Sequence, residues 1–321
     1  MGRPRKPRPQ PDVPEPSLKY HLDEPSTDVY VGDCRKVLQG LPAGSVDLIF
    51  ADPPFNWDFQ YNGWYDAMPR EDYLRFTDEW ISDCVTLLSP RGAIWVNIPD
   101  DTAAEIVMLL KKKHGLTMMN WCIWHFRFGQ HRDSSFIVSK VHALYFVKDP
   151  ANRIWNPDEV LELSDRAAIY GDARTERTHR PGLRVPLDVW YGPYLGRVQG
   201  NNKERRKGHS NQIPEAYLER VIRSCSNEGD LVLDPFLGSG TTCTVARTLK
   251  RRSIGIEFSE ANAASAFERI QKGTIRVGKA PRTPTSTSFR GDRRITKPRK
   301  RRKPLPPKVR KPRGRPKKAK E

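Results

Sequence analysis

Short apolar runs alternate with stretches of helical period between about residue 28 and residue 272. The runs are too short for helices and are typical of buried strands, whereas apolar residues three and four positions apart predict helices. The predicted strands cover residues 28–33, 46–51, 93–98, 121–124, 141–147, 231–233 and 253–257. The predicted helices cover a segment ending at 38, then 71–88, 102–113, a segment beginning at 241, and 260–272. This alternation indicates an α/β domain with a mostly parallel sheet and helices on both faces.

Both ends of the chain lack this periodic pattern. Residues 1–25 form a basic, Pro-rich arm, and residues 273–321 are rich in Pro, Thr, Ser and basic residues. Such segments cannot bury enough apolar surface to fold, so we expect both to be disordered. The chain is therefore predicted to consist of an arm (1–25), a folded domain (26–272) and a tail (273–321).

The net charge of +18 is concentrated in the tail. Residues 273–321 contain 20 Lys and Arg against two Asp and Glu, whereas residues 20–272 contain 31 against 34. A nearly neutral folded domain with a strongly basic extension predicts binding to a polyanion.

The composition also excludes several classes of protein. No apolar run is long enough to span a membrane, and the basic N-terminus has no apolar signal region. The five cysteines form no C-x-x-C pair, so neither a zinc site nor a disulfide framework is indicated. We therefore expect a soluble, cytoplasmic protein with no metal and no membrane partner.

Residues 231–242 combine an apolar strand with a glycine-rich turn. Gly238 and Gly240 allow the backbone to turn sharply before a helix begins near Thr241. A P-loop requires Lys where Thr241 stands, and a dinucleotide fingerprint requires Gly where Cys243 stands. Glu257 ends the next strand about 20 residues later, where a carboxylate can accept hydrogen bonds from a ribose. The spacing therefore favours a nucleoside-bearing cofactor without a pyrophosphate.

A second motif follows the predicted strand 46–51 and consists of Asp52, Pro53, Pro54 and Phe55. In open parallel sheets, ligands bind at the carboxyl ends of the strands, so this tetrapeptide is predicted to lie at an active site. The aromatic residues within 56–69 have three interpretations: they cover this site, they pack in the core, or they form a surface for a partner.

Both motifs resemble those of DNA methyltransferases that modify exocyclic amines. Residues 234–242 match the family's D-P-F-x-G-S-G-T-T motif, which binds S-adenosyl-L-methionine (AdoMet), and residues 52–55 match its catalytic (D/N/S)-P-P-(Y/F) motif. The amino group of a base is a poor nucleophile because its lone pair is delocalised into the ring. Hydrogen bonds from the amine to Asp52 and to the Pro53 carbonyl would localise that lone pair. Phe55 would stack on a base swung out of the duplex.

A third segment and the order of the motifs extend the resemblance. Residues 209–222 resemble the family's H-P-x-Q-x-P-x-x-L-x-x-R-x-I segment, with Ser210 in place of Pro. The catalytic motif comes before the AdoMet motif, which is the order of the beta class. The resemblance implies a Rossmann-like AdoMet-dependent methyltransferase fold, circularly permuted, with a mostly parallel seven-stranded sheet and helices on both faces. It assigns Asp33 to the adenine amine of AdoMet and Glu257 to its ribose. It assigns the other cofactor contacts to His209, Gln212, Asp234, Pro235, Phe236, Gly238, Ser239, Gly240 and Thr241.

Two regions are candidates for DNA contacts. Arginines accumulate in residues 150–200, where the family inserts its target-recognition region, and they suit contacts with phosphates and grooves. Arg313, Gly314 and Arg315 resemble the core of the AT-hook, which lies in the narrow minor groove of A·T-rich DNA, and residues 2–6 contain half of such a motif. A solvated basic tail without a defined groove contact is the alternative. Both an AT-hook and a solvated basic tail predict DNA binding that weakens as the salt concentration rises.

The resemblance implies a site-specific DNA methyltransferase that transfers a methyl group from AdoMet to the N6 amine of adenine in duplex DNA by base flipping. Asp at the head of the catalytic motif favours adenine over N4 of cytosine, which enzymes of the same architecture also methylate. A non-catalytic protein that binds A·T-rich DNA is a third interpretation. The expected partner is double-stranded DNA, with a homodimer and a cognate restriction endonuclease as further candidates. The expected location is the nucleoid of a prokaryotic or phage host.

Overall fold

The computed structural model describes residues 14–279, apart from residues 62, 63, 128, 130, 132 and 210. The strands in chain order are β1 (Ser17–Leu22), β2 (Thr27–Val31), β3 (Val46–Ala51), β4 (Phe59–Tyr61), β5 (Trp64–Asp66), β6 (Leu88–Ile98), β7 (Thr117–His125), β8 (Lys140–Val147), β9 (Glu162–Leu163), β10 (Leu183–Arg184), β11 (Val189–Trp190), β12 (Leu231–Asp234) and β13 (Arg252–Glu257). The α-helices are α1 (Cys34–Gln39), α2 (Arg70–Leu87), α3 (Asp100–Met108), α4 (Asp165–Ala168), α5 (Glu215–Cys225), α6 (Thr241–Thr248) and α7 (Glu260–Lys272). None of the helices in this part of the chain has the length and apolar character that a bilayer crossing requires.

One large sheet runs in the order β1-β2-β13-β12-β3-β6-β8-β7-β11. Five of its neighbouring pairs are parallel and three are antiparallel, the latter being β1/β2, β6/β8 and β7/β8. The mostly parallel α/β sheet expected from the sequence is therefore confirmed. The predicted strands form its centre, but the sheet has nine strands rather than seven, because β1 extends one edge and β11 the other.

The strand β1 lies in the segment that the sequence analysis assigned to a disordered arm. Residues 17–22 pair with β2, and Tyr20 stacks on Phe267 of α7 with ring centroids 4.7 Å apart. The prediction was therefore wrong for these residues, because alternate apolar positions inside a basic segment find a partner surface only in the folded molecule. At the other edge, β11 has only two residues, which are too few to show an alternation of apolar and polar positions. The sequence therefore did not predict this strand.

Helices cover both faces of the sheet, as predicted. The helices α1, α2 and α3 pack on one face, against residues such as Ile49 and Ile94. The helices α5 and α6 pack on the opposite face, against residues such as Phe50 and Trp95. Because neighbouring residues of a strand point to opposite faces, Phe50 and the residue two positions later, Asp52, lie on the α5 side.

The fold continues beyond the predicted boundary at residue 272. The backbone N–H groups of Ile275 and Arg276 donate to Glu215 Oε2 at 2.9 and 2.7 Å, and that of Gly278 donates to the Glu219 carboxylate at 2.9 and 3.1 Å. Two carboxylates of α5 thus bind the chain after α7. Residues 273–279 therefore belong to the folded body and not to the tail.

Residues 150–200 have little regular structure beyond α4, the β9/β10 pair, the edge strand β11 and two 3₁₀ turns, Pro157–Val160 and Ala173–Arg177. Several arginines that the sequence analysis assigned to DNA contacts form ion pairs with carboxylates of the same region. The pairs are Arg166 and Arg174 with Asp172, Arg180 with Asp158, and Arg184 with Glu162 and Asp165. Much of the positive charge is thus balanced locally and helps to hold an irregular region in place, while its DNA contacts stay a prediction.

Candidate active site

The two sequence motifs meet at one edge of the sheet. The strands β3 and β12 are parallel neighbours, with Leu48 beside Val232 and Ile49 beside Leu233, so the loops that follow them leave the sheet on the same side. A cavity of about 490 Å³ opens there. The predicted site residues that line it are Asp33, Asp52, Pro53, Pro54, Phe55, His209, Gln212, Asp234, Pro235, Phe236, Gly238, Ser239, Thr241 and Glu257.

Asp52 lies at the end of β3, and burial dominates its ionisation. Desolvation raises the pKa of Asp52 to about 7; the Asn97 side chain opposes this rise, and the charge of Asp234 adds to it. A carboxyl group with a pKa near neutrality can exchange a proton with a ligand at physiological pH.

The loop that follows Asp52 is held by hydrogen bonds from outside the motif. The Tyr73 hydroxyl donates to the Pro54 carbonyl oxygen at 2.9 Å. Asn56 Nδ2 donates to the Met68 carbonyl oxygen at 2.9 Å, and Asn56 Oδ1 accepts from the Met68 N–H at 2.7 Å. Asn56 has a φ of 58°, a left-handed conformation that Asn tolerates better than most residues. These contacts fix the catalytic motif against the cavity.

Aromatic rings lie at the mouth of the cavity. Phe55 and Trp57 make an edge contact with ring centroids 5.2 Å apart, and Trp57 is 50% exposed. Phe59 lines the cavity and is 40% exposed. Exposed aromatic faces suit stacking on a flat ligand. Of the three interpretations for residues 56–69, covering the site therefore fits Phe59, which lines the cavity, whereas Trp57 contacts the cavity residue Phe55.

The two glycines of the turn after β12 have different surroundings. Gly238 has a φ of 51°, and a Cβ there would meet only the Phe236 carbonyl oxygen, at 3.7 Å. Gly240 has a φ of 76°, and a Cβ there would lie 2.9 Å from the Cβ of Ala266 in α7. Gly238 lines the cavity, whereas Gly240, which was assigned to cofactor binding, is not among the lining residues. Its lack of a side chain instead allows α7 to approach the turn.

Two more carboxyl groups face the same cavity. The Glu257 carboxylate accepts from the N–H groups of Gly238 at 2.9 Å and Ser259 at 3.0 Å, and Asp234 accepts from the Phe236 N–H at 2.9 Å. Burial raises the pKa of Glu257 to about 7 and that of Asp234 to about 6. Together with Asp52, they give the cavity an acidic wall. Such a wall favours a ligand with a positive charge, because the charge would stabilise the ionised carboxylates.

Asp33 lines the cavity, but the chain itself engages its carboxylate. Asp33 Oδ1 accepts from the Arg35 N–H at 3.0 Å and so caps α1, and the Arg35 guanidinium reaches Oδ2 at 2.5 Å. The same guanidinium binds Glu79 at 2.6 Å. The Asp33 carboxylate is therefore already hydrogen-bonded to an arginine. Its contact with the adenine amine of AdoMet, which the resemblance implies, stays a prediction.

The segment before α5 forms another wall of the cavity. Gln212 Oε1 accepts from the Arg206 N–H at 2.9 Å, and Gln212 Nε2 donates to the Glu204 carbonyl oxygen at 2.7 Å. Its amide thus holds the loop together. Burial lowers the pKa of His209, and the positive charges of Arg206 and Arg269 add to the effect. Both effects favour the neutral form of the imidazole.

A buried arginine that the sequence reading missed anchors the glycine turn. Arg269 of α7 donates to Thr241 Oγ1 at 2.6 Å and to the Ser239 carbonyl oxygen at 3.3 Å, and it pairs with Glu215 at 3.1 Å. Arg269 is 4% exposed and Glu215 1%. The arginine of an amphipathic helix is normally assigned to the solvent face, so the local sequence carries no signal for this contact.

Other residues that line the cavity were not predicted as site residues, and several of them come from outside the motifs. Phe76 lies in the predicted helix 71–88, and Arg205 and Asn262 stand in segments without a catalytic signature. The additional lining residues are Gly32, Cys34, Phe50, Phe59, Phe76, Arg205, Gly208, Asn211, Ile213, Leu237, Thr242, Ile256, Phe258 and Asn262.

The AT-hook residues Arg313, Gly314 and Arg315, and the half motif at residues 2–6, lie outside the residues that the structure describes. Within residues 14–279, apart from the six positions named above, no group of three or more His, Cys, Asp or Glu side chains is placed to hold a metal ion.

Comparison with known proteins identifies relatives over most of the folded body. A family model described as DNA methylase matches residues 46–268. The Type II methyltransferase M.HpaI of Haemophilus parainfluenzae is 32% identical over 235 residues, which are 73% of this chain and 71% of that protein. The DNA adenine methyltransferase YhdJ of Escherichia coli (strain K12) is 30% identical over 249 residues, which are 74% of this chain and 81% of that protein.

Two solved structures have the same fold. The PvuII DNA methyltransferase (cytosine-N4-specific) aligns with a TM-score of 0.60 at 17% identity, over 76% of this chain and 86% of that chain. The M1.HpyAVI–SAM complex aligns with a TM-score of 0.53 at 23% identity, over 76% of this chain and 98% of that chain. The family match over residues 46–268 and the identity to M.HpaI together show that this chain belongs to the N6/N4 DNA methylase family.

Proposed function

We propose that the protein transfers a methyl group from AdoMet to the N6 amine of adenine in duplex DNA. The observation that carries the proposal is the shared cavity of Asp52 and the Gly238 turn, whose wall holds three carboxyl groups: Asp234 is buried, and Asp52 and Glu257 are half-buried. An amine acceptor and a cationic methyl donor need such an arrangement, because one carboxylate must face the amine while the others face the donor.

The residues after β12 and β13 fit AdoMet. The Gly238 backbone leaves room for close approach, and Glu257, which lines the cavity, is proposed to accept hydrogen bonds from the ribose hydroxyls. Phe236, packed edge-on against Trp80 at 5.2 Å, offers an apolar wall. When bound, AdoMet supplies an electrophilic methyl group on a positively charged sulfur. The acidic wall of the cavity is complementary to that charge.

Asp52 and the Pro53 carbonyl oxygen are proposed to accept hydrogen bonds from the target amine and so localise its lone pair. The methylated nitrogen then loses a proton, which Asp52 can accept because its pKa lies near neutrality. Phe55, Trp57 and Phe59 are proposed to stack on the extruded base and to exclude water.

Adenine is proposed as the target because Asp stands at the head of the catalytic motif. Similar proteins are described with either target base: YhdJ as a DNA adenine methyltransferase, and the PvuII enzyme as cytosine-N4-specific. N4-methylation of cytosine is thus the second candidate. Contacts of residues 150–200 and of the AT-hook-like tail with DNA, a homodimer and a cognate restriction endonuclease belong to the same proposal.

The proposal is tested by incubating the full chain with methyl-labelled AdoMet and genomic DNA, followed by digestion and identification of the labelled nucleoside. We expect N6-methyladenine in the wild-type reaction. We expect Asp52→Ala to lower the transfer rate by about 10²-fold or more while AdoMet still binds. Labelled N4-methylcytosine would show that the target base is cytosine and not adenine. Unchanged methyl transfer by the Asp52→Ala variant would show that Asp52 has no part in the mechanism.

A further inference from the structure

Asp52 has a buried polar neighbour on the adjacent strand. The strands β3 and β6 are parallel, with Ala51 beside Val96, so the residues that follow, Asp52 directly after β3 and Asn97 within β6, are also neighbours. Both lie on the face covered by α5, because the residues two positions earlier in each strand pack in the core on that face. Asn97 is the polar exception in an otherwise apolar stretch, and it is 0% exposed.

Tyr217 of α5 holds one end of the Asn97 amide. The Tyr217 hydroxyl donates to Asn97 Oδ1 at 2.6 Å, and Tyr217 is also 0% exposed. Its ring makes edge contacts with Phe50, Trp124 and Trp190 at centroid distances of 5.8, 5.5 and 5.0 Å. A phenol packed in this way is held in place, so it also restrains the orientation of the amide that it binds.

The other end of the Asn97 amide carries an unused donor. Asn97 Nδ2 has no hydrogen-bond partner of standard geometry among the residues that the structure describes. A buried donor without a partner is unfavourable and is usually explained by a functional contact. The Asn97 side chain lowers the pKa of Asp52, so the amide already acts on that carboxylate. Catalytic hydrogen bonds are often long in an unliganded site and shorten once substrate binds.

We propose that Asn97 and Tyr217 are positioning residues for Asp52: Tyr217 orients the Asn97 amide, and Asn97 Nδ2 donates to the Asp52 carboxylate. The donation occupies one lone pair of the carboxylate and directs the others toward the substrate amine. It also stabilises the ionised form, which is the form that accepts hydrogen bonds. The inference rests on the proposed role of Asp52 but not on whether the acceptor base is adenine or cytosine.

The inference is tested with Tyr217→Phe, which removes only the hydroxyl, and with Asn97→Leu, which removes the donor at similar volume. The matched control is Tyr145→Phe, because the Tyr145 hydroxyl is buried in the same core but lies outside this pair. For each variant, methyl transfer is measured from about pH 6 to about pH 9, together with AdoMet affinity and the melting temperature. In parallel, the Asp52 carboxyl is titrated by carbon NMR in the full chain, assigned by comparison with Asp52→Asn.

We expect kcat at neutral pH to fall about tenfold in Tyr217→Phe and further in Asn97→Leu, with AdoMet affinity unchanged. Losing the donation raises the pKa of Asp52, so the rising limb of the pH profile should move about one unit higher and activity should recover at high pH. The Tyr145→Phe control should retain the wild-type profile. A uniform loss at every pH, or an unshifted Asp52 titration in both variants, would overturn the proposal. The titration of Asp52 needs no turnover, so it tests the inference even if the wild type methylates neither base. Absence of methylation in the wild type would refute the proposed function and not this inference.

Discussion

At the scale of single residues, the protein depends on carboxyl groups whose ionisation is set by their surroundings. Asp52, Asp234 and Glu257 face one cavity, and burial brings the pKa values of all three to between about 6 and about 7. The charge of Asp234 adds to the rise in the pKa of both Asp52 and Glu257. In the unliganded protein, a fraction of these groups therefore carries protons near neutral pH. A cationic ligand would displace those protons.

Binding of AdoMet at about pH 6.5 is accordingly expected to release protons, since the positive sulfur lowers the pKa values of the facing carboxylates. S-adenosylhomocysteine, whose sulfur carries no positive charge, should release fewer protons on binding. Calorimetric titrations in two buffers with different heats of ionisation measure the difference. At about pH 8.5 the carboxylates are already ionised, so the difference should shrink. Equal proton release by the two ligands at the lower pH would show that the sulfur does not bind beside the acidic wall.

At the scale of secondary structure, the glycine turn is held from behind by α7. A side chain at Gly240 would clash with Ala266 of α7, and Arg269 of the same helix binds Thr241 and pairs with Glu215 of α5. Glu215 in turn binds the backbone of Ile275 and Arg276, so the turn, two helices and the start of the C-terminal extension form one connected unit. The shape of the turn therefore depends on residues about 30 positions away from it.

Alanine substitutions at the two glycines should separate packing from ligand binding. Gly240→Ala combines a left-handed backbone with a contact below 3 Å, so we expect it to lower the free energy of unfolding by about 2–4 kcal/mol. Gly238→Ala has a similar backbone but open space, so it should cost only about 1 kcal/mol and act mainly on AdoMet affinity. Denaturant unfolding and AdoMet titrations of both variants measure these effects. Equal stability losses would contradict the assignment of Gly240 to helix packing.

At the scale of the whole molecule, charge and fold are separated along the chain. Residues 20–272 are nearly neutral, whereas residues 280–321, which lie outside the described part, contain 18 Lys and Arg against two Asp and Glu. Within residues 150–200, four arginines pair with local carboxylates. The long-range attraction for DNA is therefore expected to come from the tail rather than from the folded body.

Deleting residues 280–321 should weaken DNA binding by about tenfold or more at about 50 mM salt and make the salt dependence shallower, because fewer counterions are released. The boundary keeps residues 273–279, which bind α5, so AdoMet affinity and the melting temperature should not change. Fluorescence anisotropy with a labelled duplex over a salt series measures the effect. The control is Arg313→Gln with Arg315→Gln, which retains most of the charge and should lose mainly the preference for A·T-rich duplexes. Unchanged affinity after the deletion would refute the tethering role of the tail.

The sequence by itself determined the α/β class, the central strands, and the two motifs that face the cavity. Apolar runs and special residues such as Asp52 and Gly238 impose local constraints that hold in any context. Only the tertiary structure decided what lies behind those motifs. Arg269, Asn97 and Tyr217 became partners of the site because packing removed them from water, and a buried polar group must then find a partner wherever the fold provides one. The edge strand β1 and the acidic wall have the same origin, since both depend on which distant segments the sheet brings together.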